Sequence, residues 1–317
     1  MTVRALEPKS LWNHFADLNA VPRPSKKEER VIEFMMNFGK KLGLETIKDE
    51  IGNVIIKKPG SKGMENRKTV ILQSHLDMVH QKNGDTVFDF DSQGIRMRVN
   101  DDWVDADGTT LGADNGIGVA TIMATLSSSE IAHPPLEALF TIDEETGMTG
   151  AKEMDGSLFQ GEILLNLDTE DDDELSIGCA GGIDTNTAYT CESIPTPDGY
   201  CFMQIDIKGL LGGHSGMDID SGRGNANKWM ARILWNISKK SSLLIGSFDG
   251  GGLRNAIPRE AKCAIAVPAT KLTSVKAEFE DQAKIIQNEY KSIEPNIHLK
   301  ISEADKMPKV ISESDTT

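Results

Sequence analysis

Four short apolar runs, separated by segments of helical character, constrain the fold of the first half of this chain. They are NVIIKK (53–58), TVILQS (69–74), LEALFTI (136–142) and EILLNLD (162–168). Each run contains three consecutive apolar residues and no strict alternation of apolar and polar residues, which is typical of strands in a sheet covered on both faces. Together with the helices between them, the runs predict an α/β domain with a mixed or parallel sheet.

The segment 26–43 illustrates the predicted helices. Apolar side chains recur there at the spacing i, i+3, i+4, i+7 of one buried helical face: Val31, Phe34, Met35 and Phe38. Ser25 precedes the segment and Glu28 follows three residues later, which predicts a capping box. A second helix is predicted to begin near Asn115.

The second half of the chain has a different order of elements. A strand, a helix, two strands, a helix and a strand are predicted in CFMQIDIKG (201–209), NANKWMARILWNIS (225–238), SLLIGSF (242–248), CAIAVPA (263–269), KLTSVKAEFEDQAKIIQNEY (271–290) and NIHLKIS (296–302). The order β-α-β-β-α-β is that of the ferredoxin-like α+β fold. We therefore predict two domains, residues 1–184 and 185–317.

Charge and composition exclude several classes of function. The chain has 34 Lys and Arg against 49 Asp and Glu, a net charge of −15, which argues against a nucleic acid as partner. It contains neither a long apolar membrane span nor an N-terminal apolar signal region, so no membrane partner is predicted. The four cysteines form no C-x-x-C pair, which fits a reducing compartment. A cytoplasmic location is predicted.

One group of polar residues follows the predicted strand TVILQS, and another lies at the start of the second predicted helix. His75 and Asp77 end TVILQS, and because residues i and i+2 of a strand point to the same side, they can share a site. Asp114 lies where the glycine-flanked loop LGADNG (111–116) opens a helix. Taken alone, the first pair fits an ordinary polar strand end, and Asp114 fits a helix N-cap.

Two further groups follow the later strands. Asp143, Glu144 and Glu145 come directly after LEALFTI, and Asp168 ends EILLNLD. Adjacent acids repel one another unless a cation or proton compensates them, although a charge run is also common in solvated loops. One histidine and several carboxylates at successive strand ends are the nitrogen and oxygen ligands of a metal site, and two zinc ions can share such ligands.

Eight segments resemble those of the cytosolic non-specific dipeptidases, also called aminoacyl-histidine (Xaa-His) dipeptidases. These belong to the di-zinc peptidases that include carnosinases and acylases. The segments follow the family's order and are His75-Leu76-Asp77, LGADNG (111–116), DEETG (143–147), NLDTE (166–170), GCAGGID (178–184), GLLGGHSG (209–216), GNANK (224–228) and LRNAIPRE (253–260). The resemblance implies a zinc-peptidase-like mixed sheet flanked by helices, with a ferredoxin-like lid domain.

The resemblance also implies a set of metal ligands. It implies that His75 and Asp168 bind one Zn²⁺, that Glu145 binds a second, and that Asp114 bridges both. Mn²⁺ or Co²⁺ suit such ligands too. Glu144 is then the general base that activates a metal-bridged water.

Further residues have supporting roles by the same resemblance. Asp77 supports the site, and His214 in the lid domain stabilises the oxyanion. Asn255 and Arg254 lie close to the substrate. The implied substrates are dipeptides, including Xaa-His dipeptides, and the implied assembly is a homodimer formed through the lid domain.

One feature departs from the family pattern. In the family, a C-terminal part of the catalytic domain supplies the last zinc-binding histidine, whereas His298, the only histidine after His214, lies in a predicted strand of the second domain. We therefore expect a chain that matches the N-terminal two-thirds of a dipeptidase, with both domains incomplete and no dipeptidase activity of its own. Two other functions stay open: an N-acyl-amino-acid amidohydrolase on the same scaffold, and a non-catalytic metal-binding fragment.

Overall fold

The computed structural model describes residues 2–169, 173–179, 181, 183 and 185–316. The chain divides into two compact units, Met1–Cys179 and Ala180–Thr317. The boundary predicted from the sequence, residue 184, lies outside the described residues. Each unit is described by itself.

The first unit contains a mixed sheet with helices. Its strands are β1 (Glu45–Lys48), β2 (Val54–Lys58), β3 (Val70–His75), β4 (Met97–Asn100), β5 (Trp103–Ala106), β6 (Leu136–Thr141) and β7 (Ile163–Asn166). Its helices are α1 (Lys9–Asn19), α2 (Glu29–Lys41), α3 (Ala113–Ser127) and α4 (Thr149–Lys152), with 3₁₀ turns at Val3–Ala5 and Gly156–Leu158.

The main sheet of this unit has the strand order β1-β2-β6-β3-β7. The strands β1, β2 and β6 pair antiparallel, whereas β3 runs parallel to both β6 and β7. The strands β4 and β5 form a separate hairpin. The prediction of a mixed sheet is confirmed, and the parallel arrangement places the carboxyl ends of β6, β3 and β7 at one edge of the sheet.

Both faces of this sheet are covered, as the apolar runs predicted. Alternate residues of β2 show the division, since Val54 and Ile56 pack on one side and Ile55 on the other. The first side also holds apolar residues of the helices α1, α2 and α3: Leu18, Val31, Met35, Val119, Ile122, Met123 and Leu126. The second side is a smaller cluster that includes Ile71 and Leu139.

Two details differ from the sequence prediction. The helix α2 begins at Glu29, and within the described residues no side chain caps it, so the capping box is wrong. Ser25 and Glu28 instead bond groups of two other loops, Asp77 Oδ2 and the backbone N–H of Asp143. The strand β7 forms as predicted but is largely exposed, because it lies at an edge of the sheet and not in its centre.

The second unit follows the predicted β-α-β-β-α-β order. Its strands are β8 (Ser193–Pro195), β9 (Tyr200–Lys208), β10 (Leu244–Gly250), β11 (Ala261–Pro268), β12 (His298–Glu303) and β13 (Lys309–Ile311). Its helices are α5 (Ala226–Ser238), α6 (Leu272–Tyr290) and α7 (Glu313–Thr316), with a 3₁₀ turn at Ala269–Lys271.

The central sheet of this unit is antiparallel, with the order β10-β11-β9-β12. The helices α5 and α6 pack on it through residues such as Trp229, Ile233 and Phe279. This is the ferredoxin-like arrangement, and His298 lies in its strand β12, as predicted. A short ladder of β8 and β13 adjoins it. In neither unit does a described helix have the length and apolar character needed to cross a membrane.

Candidate active site

The carboxyl edge of the first unit's sheet brings together six of the predicted site residues. They are His75 and Asp77 after β3, Asp114 at the start of α3, Glu144 and Glu145 after β6, and Asp168 after β7. Because β6, β3 and β7 are parallel neighbours, their carboxyl ends converge, and ligands commonly bind at such an edge. The fold thus gathers residues that are up to 93 positions apart in sequence.

His75 is the centre of this cluster and is completely buried. Its Nδ1 atom lies 3.1 Å from the carbonyl oxygen of Asp77, and its Nε2 atom lies 2.9 Å from Asp114 Oδ1. Burial lowers the pKa of His75, but the hydrogen bonds to Asp114 and Asp77 and the surrounding negative charges outweigh it, so the pKa is well above its usual value. With Nδ1 facing a carbonyl oxygen, Nε2 is the nitrogen that can bind a metal.

Two sets of ligand atoms share His75. One set is His75, Asp114 and Asp168, and the other is His75, Glu144 and Glu145. Within each set the ligand atoms lie within 4.8 Å of one another. Imidazole nitrogen and carboxylate oxygen are ligands that suit Zn²⁺, so the donor chemistry of both sets fits a metal ion.

The crowding of acids changes their protonation. Burial, with the charge of Asp114 as the next contribution in the same direction, raises the pKa of Glu145 to about 8. Burial also raises the pKa of Asp168 to about 7, with the charges of Asp114 and Glu144 adding to it. Without a cation, these two carboxyls therefore carry protons near neutral pH, and a bound metal would compensate the repulsion.

Asp77 holds the loop that carries Glu144 and Glu145 in position. It is fully buried, and its two carboxylate oxygens accept the backbone N–H groups of Glu144 (3.0 Å) and Glu145 (3.2 Å). Its Oδ2 atom also accepts the Ser25 hydroxyl at 2.7 Å. Burial raises the pKa of Asp77. Hydrogen bonds from His75 and Ser25 lower it by more than burial raises it, so the net pKa is below its usual value. Asp77 is therefore ionised and fixes the loop that carries both glutamates.

Three residues of this site were not predicted from the sequence. Asn115 donates from Nδ2 to Asp168 Oδ1 at 3.1 Å, Ser25 bonds Asp77, and the buried Arg23 bonds the backbone near His75. Asn115 was part of the recognised segment LGADNG, but its side chain was given no role. The sequence pattern around Ser25 predicted a helix cap, whereas its hydroxyl group bonds Asp77.

The second unit holds the other predicted residues, His214, Arg254 and Asn255. The backbones of His214 and Asn255 lie in adjacent loops, since Ser215 N–H donates to the Asn255 carbonyl at 2.9 Å. His214 Nδ1 accepts the N–H groups of Gly216 and Met217, both at 3.1 Å. A neutral imidazole that accepts at Nδ1 carries its proton on Nε2, so His214 presents a hydrogen-bond donor at that atom.

Comparisons with known proteins agree with this fold. Residues 205–294 match the family described as peptidase dimerisation domain. The chain is 43% identical over 313 residues to the cytosol non-specific dipeptidase of Escherichia coli (strain K12), a match that covers 98% of this chain. The resemblance to these dipeptidases is confirmed. The predicted α/β fold with a second, dimerisation domain is confirmed as well.

A solved structure of a dipeptidase is also similar to this chain in sequence and in fold. The crystal structure of the aminoacylhistidine dipeptidase from Vibrio alginolyticus is 42% identical, with a TM-score of 0.57 over 98% of this chain. A peptidase T-like protein of Rhizobium meliloti (strain 1021) is 34% identical over a shorter stretch, 36% of this chain and 26% of that protein. The chain spans 64% of the length of each of the two dipeptidases. The expectation of a C-terminal truncation gains no support from these matches.

Proposed function

We propose that this chain hydrolyses dipeptides, including Xaa-His dipeptides, in a metal-dependent reaction, in place of the expectation from the sequence that it has no dipeptidase activity of its own. The observation that carries the proposal is the pair of ligand sets that share His75 and include the half-buried Glu144. The similarity to a cytosol non-specific dipeptidase and to an aminoacylhistidine dipeptidase supports the choice of substrate.

In this proposal the first unit holds two Zn²⁺ ions, with Mn²⁺ or Co²⁺ as other ions that suit the ligands. His75 and Asp168 would hold one ion, Glu145 would hold the other, and Asp114 would be a ligand of both. Bound metal would supply Lewis acidity that polarises the substrate carbonyl and acidifies water. The contacts of Asp77 with both glutamates and of Asn115 with Asp168 keep these ligands in place.

Glu144 has the role of general base and acid. Its Oε2 atom lies 3.9 Å from His75 Nε2, and its side chain is 32% exposed, so a water can reach it beside the ligands. Glu144 accepts a proton from the attacking water and returns it to the leaving amine. Asp77 orients Glu144 through the backbone N–H and takes no part in proton transfer itself.

The second unit supplies groups for the substrate. We assign to His214 the stabilisation of the oxyanion, because its Nε2–H is a hydrogen-bond donor in the neutral ring. Asn255 and Arg254 are assigned to contacts with the substrate. This unit is also the proposed site of homodimer formation, in line with the matched dimerisation domain. The proposed location is the cytosol, as the name of one relative states.

The test compares two substrates that contain an amide. The chain is prepared with Zn²⁺ and assayed with a Xaa-His dipeptide and with an N-acyl amino acid, and a chelator-treated sample serves as the control. Cleavage of the dipeptide that needs metal supports the proposal. Preference for the N-acyl amino acid would favour the amidohydrolase, and metal binding without cleavage of either would favour a non-catalytic fragment.

The homodimer has its own test. Sedimentation equilibrium is expected to give a mass of twice 34.6 kDa. A mass of 34.6 kDa across the micromolar range would contradict the proposed dimer.

A further inference from the structure

A buried arginine lies behind the candidate site. Arg23 is in the connection between α1 and α2, and it is 1% exposed. It lies outside all eight segments that carry the family resemblance, and the proposed reaction gives it no part. It lies next to the loops that carry the proposed metal ligands His75 and Asp114.

The guanidinium group joins two segments that carry proposed metal ligands. Its Nη1 atom donates to the carbonyl oxygens of Leu76 at 3.0 Å and Asp77 at 3.1 Å. Its Nη2 atom donates to the carbonyl oxygen of Gly112 at 2.6 Å. Leu76 directly follows His75, and Gly112 precedes Asp114 by two residues. One rigid, planar group thus fixes the distance between the segment of His75 and the segment of Asp114.

The arginine is itself held in position. Its Nη2 atom also donates to Asn19 Oδ1 at 3.0 Å, and Asn19 donates in turn to the carbonyl of Leu111 at 3.1 Å. Asn19 ends α1 and is completely buried. The end of α1 therefore also holds the guanidinium, through Nη2.

Two glycines leave the space that the guanidinium occupies. A Cβ atom on Gly112 would lie 2.5 Å from Arg23 Nη2, and a Cβ atom on Gly116 would lie 2.7 Å from the same atom. Gly112 also has φ +73°, a conformation that favours glycine. The loop that opens α3 is thus built closely around Arg23.

Among the described residues, Arg23 has four acceptors, three backbone carbonyls and an amide oxygen, and none of them is a carboxylate. A buried guanidinium without a directly bonded acid is costly unless nearby charges offset it. Its hydrogen bonds therefore fix backbone geometry instead of forming an ion pair.

We propose that Arg23 is a positioning residue for the metal site, which sets the spacing of His75 and Asp114 through the carbonyls of Leu76, Asp77 and Gly112. The proposal rests on the proposed function in one respect, the binding of a divalent metal at this site. It does not depend on which substrate is cleaved.

Arg23→Lys tests the proposal with Co²⁺ as the probe. The lysine keeps the positive charge, but its single ammonium replaces the planar fork and cannot hold both segments in the same way. The dissociation constant for Co²⁺ is expected to rise about 10- to 100-fold, the usual effect of losing a group that orients metal ligands. The visible absorption of bound Co²⁺, which reports ligand geometry, is expected to change. Wild-type affinity and absorption in the folded variant would overturn the proposal.

Leu139→Ala is the matched control for general damage. Leu139 is buried in the cluster on the other side of the same sheet, so its loss lowers stability without touching the site. It is expected to bind Co²⁺ with wild-type affinity and absorption. Equal weakening of Co²⁺ binding by Leu139→Ala and Arg23→Lys would attribute both effects to instability and overturn the proposal.

A milder variant covers the case in which Arg23→Lys does not fold. Asn19→Ala removes one of the four acceptors and is expected to weaken Co²⁺ binding in the same direction by a smaller factor. Unchanged Co²⁺ binding by that variant would then overturn the proposal. A wild-type chain that binds Co²⁺ without cleaving dipeptides would refute the proposed function alone, whereas one that binds no Co²⁺ would refute both.

Discussion

Glu144 and Glu145 are adjacent in sequence and differ in their surroundings. The Glu144 side chain is 32% exposed, whereas Glu145 is 6% exposed. Both backbone N–H groups bond the carboxylate of Asp77, which fixes the turn after β6. The exposed glutamate is suited to accept a proton from water, and the buried one is suited to bind metal.

Glu144→Gln is predicted to abolish turnover and leave metal content unchanged. The amide keeps the shape of the side chain but cannot accept the proton, and loss of a general base costs on the order of 10²–10⁴ in rate. Steady-state hydrolysis of a dipeptide and metal analysis after dialysis measure the two effects.

Glu145→Gln is the matched control for this change. It removes a proposed ligand by the same chemistry, so metal content is expected to fall together with turnover. If Glu144→Gln lost its metal and Glu145→Gln kept it, the two roles would have to be exchanged.

Metal binding is predicted to release protons at pH 7. The raised pKa values, about 8 for Glu145 and about 7 for Asp168, mean that these carboxyls are largely or half protonated before metal binds. Metal ligands must lose their protons, and the imidazolium of His75, whose pKa is well above its usual value, must lose one too. Affinity therefore rises with pH until all three groups are deprotonated in the free chain. Calorimetric titration with Zn²⁺ in two buffers of different ionisation enthalpy is expected to show more than one proton released.

The matched variant for proton release is Asp168→Asn, which removes one of the titrating groups. It is expected to release fewer protons per metal bound than the wild-type chain. Zn²⁺ binding without any proton release would contradict the assignment of these carboxyls as ligands.

The site residues differ in how far the sequence reveals them. The positions of His75, Asp114 and Glu145 at strand ends and a helix start predict that they meet at one edge of the sheet, whereas their roles as metal ligands were implied only by the family resemblance. Arg23 and Ser25 could not, since their roles arise from contacts across more than 50 positions that exist only in the folded chain. Local pattern instead favoured a helix cap for Ser25.

At the scale of elements, the apolar pattern predicted where the strands and helices lie better than it predicted how exposed they are. The order of β9 to β12 and of α5 and α6 was confirmed, because each has a clear apolar face or run. The strand β7 has equally apolar residues, yet Ile163 is 42% and Leu164 54% exposed. A sequence pattern identifies a strand, but its place at an edge or in the centre is decided by the pairing of the whole sheet.

The loop that carries His214 depends on a buried carboxylate from a distant segment. Glu294 is completely buried and accepts the backbone N–H groups of Leu211 and Gly224, each at 2.8 Å. Its two oxygens therefore hold both ends of the segment around His214. Glutamate serves here as a double acceptor.

Glu294→Gln is predicted to loosen this segment. The amide retains one oxygen and turns an NH₂ group toward the other donor, and a buried N–H left unsatisfied costs about 1–3 kcal/mol. Hydrogen exchange at Leu211 and Gly224 is expected to be about 5- to 150-fold faster, in proportion to that loss. Glu289→Gln, which removes an exposed partner of Arg232, serves as the control and should leave this exchange unchanged. Equal acceleration in both variants would contradict the role of Glu294.

At the scale of the whole molecule, the two largest hydrophobic clusters of the described residues lie in different units. One cluster lies between the helices α1 to α3 and the sheet of the first unit, and the other lies between α5, α6 and the sheet of the second. All proposed metal ligands belong to the first unit, whereas His214 belongs to the second. A metal that binds only the folded state stabilises the part of the chain that its ligands join.

Zn²⁺ is therefore predicted to protect the first unit selectively against hydrogen exchange. At 100 times the dissociation constant the added stability is about 2.7 kcal/mol, which slows exchange in the segments that open together with the ligands. Peptides from β3 and α3 are expected to gain protection with Zn²⁺ relative to a chelator-treated sample, and peptides from β9 and β11 are not. Asp168→Ala, which removes a proposed ligand, should reduce the gain. An equal gain of protection in both units would contradict the prediction. It would show that metal binding also stabilises the second unit, which the assignment of all metal ligands to the first unit does not explain.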